Sequence, residues 1–369
     1  RDRYILIYLN FIFNDAIPFL FFYPDVPENI QYTTFTAAII NLSFLFLFRK
    51  QAQVPISINL PLSSIELNKK RKILLSCFVF FLLWAGVMSG VLINLLRGNN
   101  IEDLRRTSEI GVGVIRDIPM LGIQIIMLVL FLQKTWKCYY KVVAFYSFCL
   151  SVFLFLTTGN KGGVLVGVTL FLLFFHLKKR GFKWYEYVLY YLAMPLAAGT
   201  LQGIRGGDLT LIASQIAVFF SYPVILYQAN SIPIMNAVGT ENFFWGEEYY
   251  TGLVKFIPRF LWPDKPLSFD YKLKELANYD FEGGGIYTTL CNDLYINFGY
   301  YYFIFYILWL LFIHYLYGMV MDDKRFYYSR IIALFIILMG GIASTIGSCE
   351  ILLLFLLFLI LYYSRVKTL

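Results

Sequence analysis

The sequence is poor in charge and in histidine. Only 15% of its 369 residues are charged and two are histidines, whereas 59% are hydrophobic and 20% are aromatic. A soluble domain has about 25% charged residues, which it needs to cover its surface with polar groups. So little charge, with a mean hydropathy of +0.66, excludes a soluble enzyme and a disordered chain. The composition indicates a membrane protein.

Cysteine is scarce as well. The five cysteines are scattered, and no two form a CxxC pair. A zinc site needs clustered cysteine or histidine ligands, and a disulfide framework needs paired cysteines. The sequence therefore predicts no metal and no cofactor. It also lacks internal repeats, which excludes a fibrous repeat protein.

Long apolar runs are what the sequence has instead. A helix needs roughly 17–25 residues to cross about 30 Å of hydrocarbon, and backbone amides in lipid must be satisfied within the helix. Runs that meet this need, three of them imperfectly, are 4–22, 32–48, 73–96, 117–133, 139–157, 162–177, 184–200, 290–317, 331–348 and 350–363. We predict an all-α polytopic protein, one membrane domain over 1–369, with ten transmembrane helices (10–12 if further spans precede residue 1).

The basic residues fix the orientation. Loop 49–72 carries six Lys or Arg against one Glu, and such loops stay in the cytoplasm. Ten spans place this loop, the other basic connections and both ends there, so the net charge of +8 reports orientation rather than nucleic-acid binding. A large loop, 201–289, then faces outward from the plasma membrane. Its apolar part, 209–229, is predicted to be re-entrant or interfacial, because a crossing would move every later basic loop outside.

Cations on the outer side run against this trend. Arg205 lies between glycines at the end of a span, where backbone amides and a guanidinium can meet an anion. Arg259 lies between two prolines and beside aromatic residues, which favour headgroup depth. A surface role in ion pairs stays open for other outer arginines. The candidates for binding phosphate groups are Arg116, Lys161, Arg205, Arg259 and Lys265.

Carboxylates within or at the ends of spans are further candidates, because such groups are costly in lipid. Asp293 follows Asn292 at the outer end of span 290–317, Glu350 precedes a short span, and Asp15 lies in span 4–22. The alternative is a structural carboxylate satisfied by hydroxyl groups. Both histidines lie near cytoplasmic ends of spans, so a general base on the outer face must be a carboxylate, a tyrosine or the substrate. Asp293 is the first choice and Glu350 the second.

Three stretches carry a family resemblance. They are Thr158-Gly159-Asn160-Lys161, the run FIPRFLWPDKP at 256–266 and the run TLCNDLYINFG at 289–299. They resemble the TG-x-R, PR…W-P-x-KP and L-x-E-x-Y-x-N-F-G elements of the O-antigen polymerase (Wzy) group of oligosaccharide repeat-unit polymerases. Lys161 replaces an arginine and Asp293 a glutamate. A lysine cannot grip two oxygens as an arginine does.

The resemblance implies an inner-membrane glycosyltransferase active on the periplasmic face. Such an enzyme joins oligosaccharide repeat units carried on undecaprenyl pyrophosphate, and its partners are these lipids, the bilayer, and the chain-length regulator and flippase of the pathway. An acceptor hydroxyl attacks the anomeric carbon of the donor, and undecaprenyl pyrophosphate leaves. The outer cations would hold the pyrophosphates, and Asp293 or Glu350 would serve as base or orient a sugar. Groups suited to bind sugars are Asn292, Trp245, Glu247, Glu248, Tyr249 and Tyr250.

Two alternatives remain. An O-antigen ligase shares this layout, but by resemblance it uses a histidine in the periplasmic loop, where this sequence has none. A lipid-oligosaccharide flippase would show repeat symmetry and charges in a central cavity, whereas here the charges concentrate in one outer loop.

Overall fold

A computed structural model describes residues 2–48, 212–254, 257, 261–266, 269–279 and 288–318, with seven positions between 185 and 200. All regular structure in these residues is helical, as predicted. The helices are α1 (Asp2–Phe11), α2 (Ile17–Phe22), α3 (Glu28–Leu47), α4 (Ile212–Phe220), α5 (Tyr222–Leu226), α6 (Ile232–Val238), α7 (Glu247–Val254), α8 (Phe269–Leu276), α9 (Leu290–Phe298) and α10 (Tyr302–Gly318). Two π-helical segments, Ile12–Ala16 and Tyr227–Ser231, and a 3-10 turn, Gly299–Tyr301, join some of them.

Two stretches of the described residues are long and apolar enough to cross a membrane. One is α3, and the other is Leu290–Tyr315, which comprises α9, the 3-10 turn and most of α10. They confirm the helices predicted at 32–48 and 290–317. Residues 212–238 add a third crossing only if their two apolar pieces form one broken span or a re-entrant loop.

The remaining predicted spans are described in part or not at all. The apolar helix Ile7–Phe22, within the predicted span 4–22, is shorter than the two crossing stretches. In the predicted span 184–200, seven positions are described and all are helical. The predicted spans that lie outside the described residues are 73–96, 117–133, 139–157, 162–177, 331–348 and 350–363.

The described residues fall into two compact units, one containing α4 and the other containing α1–α3 and α5–α10. In the α4 unit, a Cβ added to Gly199 would lie 2.5 Å from Cα of Ile216. Only glycine allows an approach this close, and small residues serve this purpose where membrane helices meet.

The π-helical segments lie next to prolines. Ile12–Ala16 ends two residues before Pro18, and Tyr227–Ser231 ends two residues before Pro233. Proline lacks an N–H and its ring crowds the carbonyl four residues earlier. A wider π turn makes room for the ring, and it leaves that carbonyl without its usual partner. At Pro233 that carbonyl belongs to Ala229, and the Tyr279 hydroxyl donates to it at 2.9 Å.

Helix α3 buries polar residues together with apolar ones, and its exposed side chains are mostly apolar. Its buried side includes Asn29, Thr33, Thr34 and Asn41, whereas Phe46 is 70% exposed. The inner groups are bonded to α10: Tyr302 donates to the carbonyl of Thr33 at 2.7 Å, and Tyr306 donates to Oδ1 of Asn41 at 3.0 Å. This distribution suits a helix whose outer face contacts lipid and whose polar groups face the protein interior.

Candidate functional site

Helix α9 is the most deeply buried helix of its unit. Every residue from Leu290 to Asn297 is buried. Its N-cap residue is Thr289, whose side-chain oxygen accepts from the amide of Asn292 at 3.4 Å. Threonine is a favoured N-cap, since it satisfies an amide that the helix leaves open. The cap fixes the first turn of the helix, which carries Asp293.

Residues 243–246 bind the other end of α9. The amide of Phe244 donates to the carbonyl of Ile296 at 3.1 Å, and that of Trp245 donates to the carbonyl of Asn297 at 2.8 Å. These bonds satisfy carbonyls that the end of a helix leaves open. Trp245 has φ 49° and Gly246 has φ 87°, so the chain turns sharply there. This turn starts α7 directly beside α9.

A second glycine, Gly299, allows residues 243–246 to pack against the end of α9. Gly299 ends α9 with φ 58°, and a Cβ on it would lie 2.5 Å from ring carbons of Phe243. Position 299 therefore needs glycine for two reasons, the left-handed backbone and the ring packed against it. Gly299, the last residue of the 289–299 stretch, is thus required both by the packing of its neighbour and by its own backbone conformation.

Four side chains from α7 and α9 form what we call the carboxylate cluster: Glu248, Tyr249, Asp293 and Asn297. The Tyr249 hydroxyl donates to Oδ2 of Asp293 at 3.4 Å, and Nδ2 of Asn297 donates to Oε2 of Glu248 at 2.9 Å. Asp293 is 5% exposed. The Tyr249 ring stacks on Phe298, with centroids 5.8 Å apart. The cluster therefore holds two carboxylates and one phenol in fixed positions.

Tyr249 is a hydrogen-bond donor in this cluster. Burial raises the pKa of its phenol well above the ordinary value, and the negative charges of Asp293 and Glu248 raise it further. The phenol therefore keeps its proton at neutral pH. A neutral phenol donates to the Asp293 carboxylate and fixes its orientation.

The structure brings together some of the predicted site residues. Asp293 and Glu248 meet in the carboxylate cluster. Trp245, 66% exposed, lies at the turn that leads into α7. Glu247 forms an ion pair with Lys272, whose ammonium lies 5.9 Å from the centre of the Phe244 ring.

Other predicted residues lie away from the cluster or outside the described residues. Oδ1 of Asn292 accepts from the Thr33 hydroxyl at 3.1 Å, so its side chain faces α3. Nζ of Lys265 donates to the carbonyl of Ile257 at 2.8 Å, just beyond the end of α7. Asp15 is buried in the first π-helical segment. The predicted residues outside the described residues are Arg116, Lys161, Arg205, Arg259 and Glu350.

The sequence reasoning named Tyr249 only as a group that could bind sugars, and it missed Asn297. Tyr249 lies within the stretch Glu247–Tyr250 but its contact with Asp293 joins residues 44 positions apart. Asn297 gave a usable signal, since it follows Asp293 by four residues, and this spacing puts two side chains on one face of a helix. No pattern in the sequence predicted the contact between α7 and α9.

The chemistry open to this site is proton transfer and binding of hydroxyl groups. Carboxylates accept protons and bind hydroxyls, and the exposed indole of Trp245, at the turn that leads into α7, offers a flat apolar face. Among the described residues, no group of three or more His, Cys, Asp or Glu side chains is placed to hold a metal ion. The sequence matches no family model, no curated protein and no solved structure.

Proposed function

We propose that the protein is a membrane glycosyltransferase that polymerises oligosaccharide repeat units carried on undecaprenyl pyrophosphate, at the outer face of the plasma membrane. The observation that carries the proposal is the carboxylate cluster, in which Asp293 is buried and Glu248 and Tyr249 are half-buried. Asp293 lies in the 289–299 stretch that resembles the family element, and it meets Glu248 and Tyr249 there. The outward-facing apolar side of α3 and the crossing stretch Leu290–Tyr315 support a membrane location.

In the proposed reaction, the acceptor sugar hydroxyl attacks the anomeric carbon of the donor. The new glycosidic bond forms as the bond from that carbon to the pyrophosphate oxygen breaks. Asp293 takes the proton of the attacking hydroxyl, with Tyr249 holding its Oδ2. Undecaprenyl pyrophosphate leaves with the bonding electrons. The candidate cations would stabilise its growing charge, since fixed charges in a dry site are strong electrostatic catalysts.

The direct test uses the purified protein in liposomes with repeat units linked to undecaprenyl pyrophosphate. We expect a ladder of polymer and release of undecaprenyl pyrophosphate in equal amount to the bonds formed. Movement of the substrate across the bilayer without product would support a flippase instead. Transfer only to lipid A core would support a ligase.

The proposed orientation predicts where Glu241 lies. This residue is exposed in the turn between α6 and α7, in the loop predicted to face outward. A cysteine at position 241, in a chain whose five native cysteines are replaced, should react with a membrane-impermeant maleimide added to intact cells. Lys70→Cys, in the predicted cytoplasmic loop 49–72, is the matched control and should react only after lysis. Labelling of position 241 only after lysis would contradict the orientation and the proposed function.

A further inference from the structure

Asn297 makes two bonds that the proposed reaction does not use. It is 0% exposed and lies one helical turn after Asp293. Its Nδ2 donates to Oε2 of Glu248 at 2.9 Å and to the main-chain carbonyl of Asp293 at 2.9 Å. One amide group thus links α7 to the segment of α9 that carries the proposed base.

The two carboxylates of the cluster both lie near the hydroxyl of Tyr249. The charges of both Asp293 and Glu248 act on the hydroxyl of Tyr249. Like charges in a partly buried site repel each other, and hydrogen-bond donors help to hold them there. Asn297 supplies the donor for Glu248, and Tyr249 supplies the donor for Asp293.

An asparagine suits this place for a physical reason. The amide has two N–H donors on a short side chain and carries no charge. An aspartate of the same shape has no donor when ionised, and it would add a third negative charge. Alanine would remove this bond to Glu248 and leave its carboxylate less firmly held.

We propose that Asn297 is a positioning residue that holds the Glu248 carboxylate beside Asp293, where Glu248 binds the acceptor sugar. Asn297 does not touch the substrate and acts only through Glu248. This inference rests on the proposed function for the identity of the ligand. The link between the two side chains can be tested without it.

The first experiment exchanges donor and acceptor. Asn297→Asp should lower the temperature of thermal unfolding of the purified protein, because two carboxylates then face each other. In the double variant with Glu248→Gln, the glutamine amide donates to the new aspartate and the bond returns in the reverse direction. The double variant should recover part of the lost unfolding temperature, since the bond to the main-chain carbonyl of Asp293 stays absent. If it unfolds no higher than Asn297→Asp alone, the inference is wrong, whether or not the protein polymerises sugars.

The second experiment measures kinetics. Asn297→Ala and Glu248→Ala should each raise the KM for the acceptor about 10-fold and leave kcat within about 3-fold, the pattern of lost binding that is equal in ground and transition states. The double variant should match Glu248→Ala alone, because Asn297 acts through that residue. A KM near the product of the two single effects would overturn the inference. A fall in kcat with an unchanged KM, as expected from a loss of folded protein, would also overturn it.

The matched control is Glu275→Gln. Glu275 is exposed on α8, and neither its substitution nor its combination with Asn297→Ala should change the KM further. Failure of the wild-type protein to form polymer would reject the proposed function. The unfolding temperatures of the exchange variants would still decide the link between Asn297 and Glu248.

Discussion

Asp293→Asn should lower kcat for polymerisation by about 100- to 10,000-fold, the usual contribution of a general base. Asparagine has the same shape as aspartate, and its carbonyl oxygen can still accept the bond from Tyr249. It cannot take up the proton of the attacking hydroxyl. We therefore expect the protein to fold, to remain in the membrane and to bind the lipid-linked acceptor with little change in KM.

The control for this prediction is Asp293→Glu. Glutamate is the residue that the resembling family has at this position, and it keeps the carboxylate. We expect this variant to retain far more activity than Asp293→Asn, with some loss because the longer side chain displaces the carboxylate from Tyr249. A normal rate of polymerisation by purified Asp293→Asn would remove Asp293 from the role of base.

Gly299→Ala should lower the stability of the protein strongly. The residue has φ 58°, and the added Cβ would lie 2.5 Å from the Phe243 ring. The left-handed backbone costs a residue with a Cβ about 1–2 kcal/mol, and displacing the half-buried Phe243 ring costs up to about 1–3 kcal/mol more. Such a loss is a large part of a typical net stability of about 5–15 kcal/mol. Thermal unfolding of the protein in detergent should show a clear fall in the unfolding temperature.

Gly239→Ala separates the two causes. Gly239 has φ 59°, nearly the same as Gly299, but an added Cβ would meet only the carbonyl oxygen of Asn236 at 3.9 Å. This variant should show the backbone cost alone and unfold at a higher temperature than Gly299→Ala. Adding Phe243→Ala to Gly299→Ala should remove the overlap but not the backbone cost. Equal unfolding temperatures for Gly239→Ala and Gly299→Ala would contradict the packing of the Phe243 ring against position 299.

The length of apolar runs was enough to predict two of the crossing stretches. A helix in lipid must be long and apolar, so α3 and Leu290–Tyr315 can be recognised from composition alone. The 3-10 turn at Gly299–Tyr301 could not, because a hydropathy pattern does not record where a backbone must adopt a positive φ. The Phe243 ring, which packs against Gly299 at the start of this turn, comes from a distant part of the chain.

The candidate site was predictable only in part for a similar reason. Asp293 is noticeable in the sequence because a carboxylate at the end of an apolar run is costly. Its partners on α7 are not, since the contact depends on how residues 243–246 fold against the end of α9. The prediction that Lys265 binds pyrophosphate stays a prediction, although its ammonium already donates to a main-chain carbonyl.

The exposed apolar side and the buried polar groups of α3 determine which of its residues can change. In a water-soluble protein, apolar positions are constrained and polar ones vary freely. On α3 the outer positions, such as Phe35, Ile39 and Phe46, should accept almost any other apolar residue, because lipid has no fixed shape to match. In contrast, the side-chain oxygen of Asn41 and the main-chain carbonyl of Thr33 accept hydrogen bonds from tyrosine hydroxyls of α10. Relatives of this protein should therefore vary in sequence along the lipid-facing side of the helix and keep the same polar residues along its buried side.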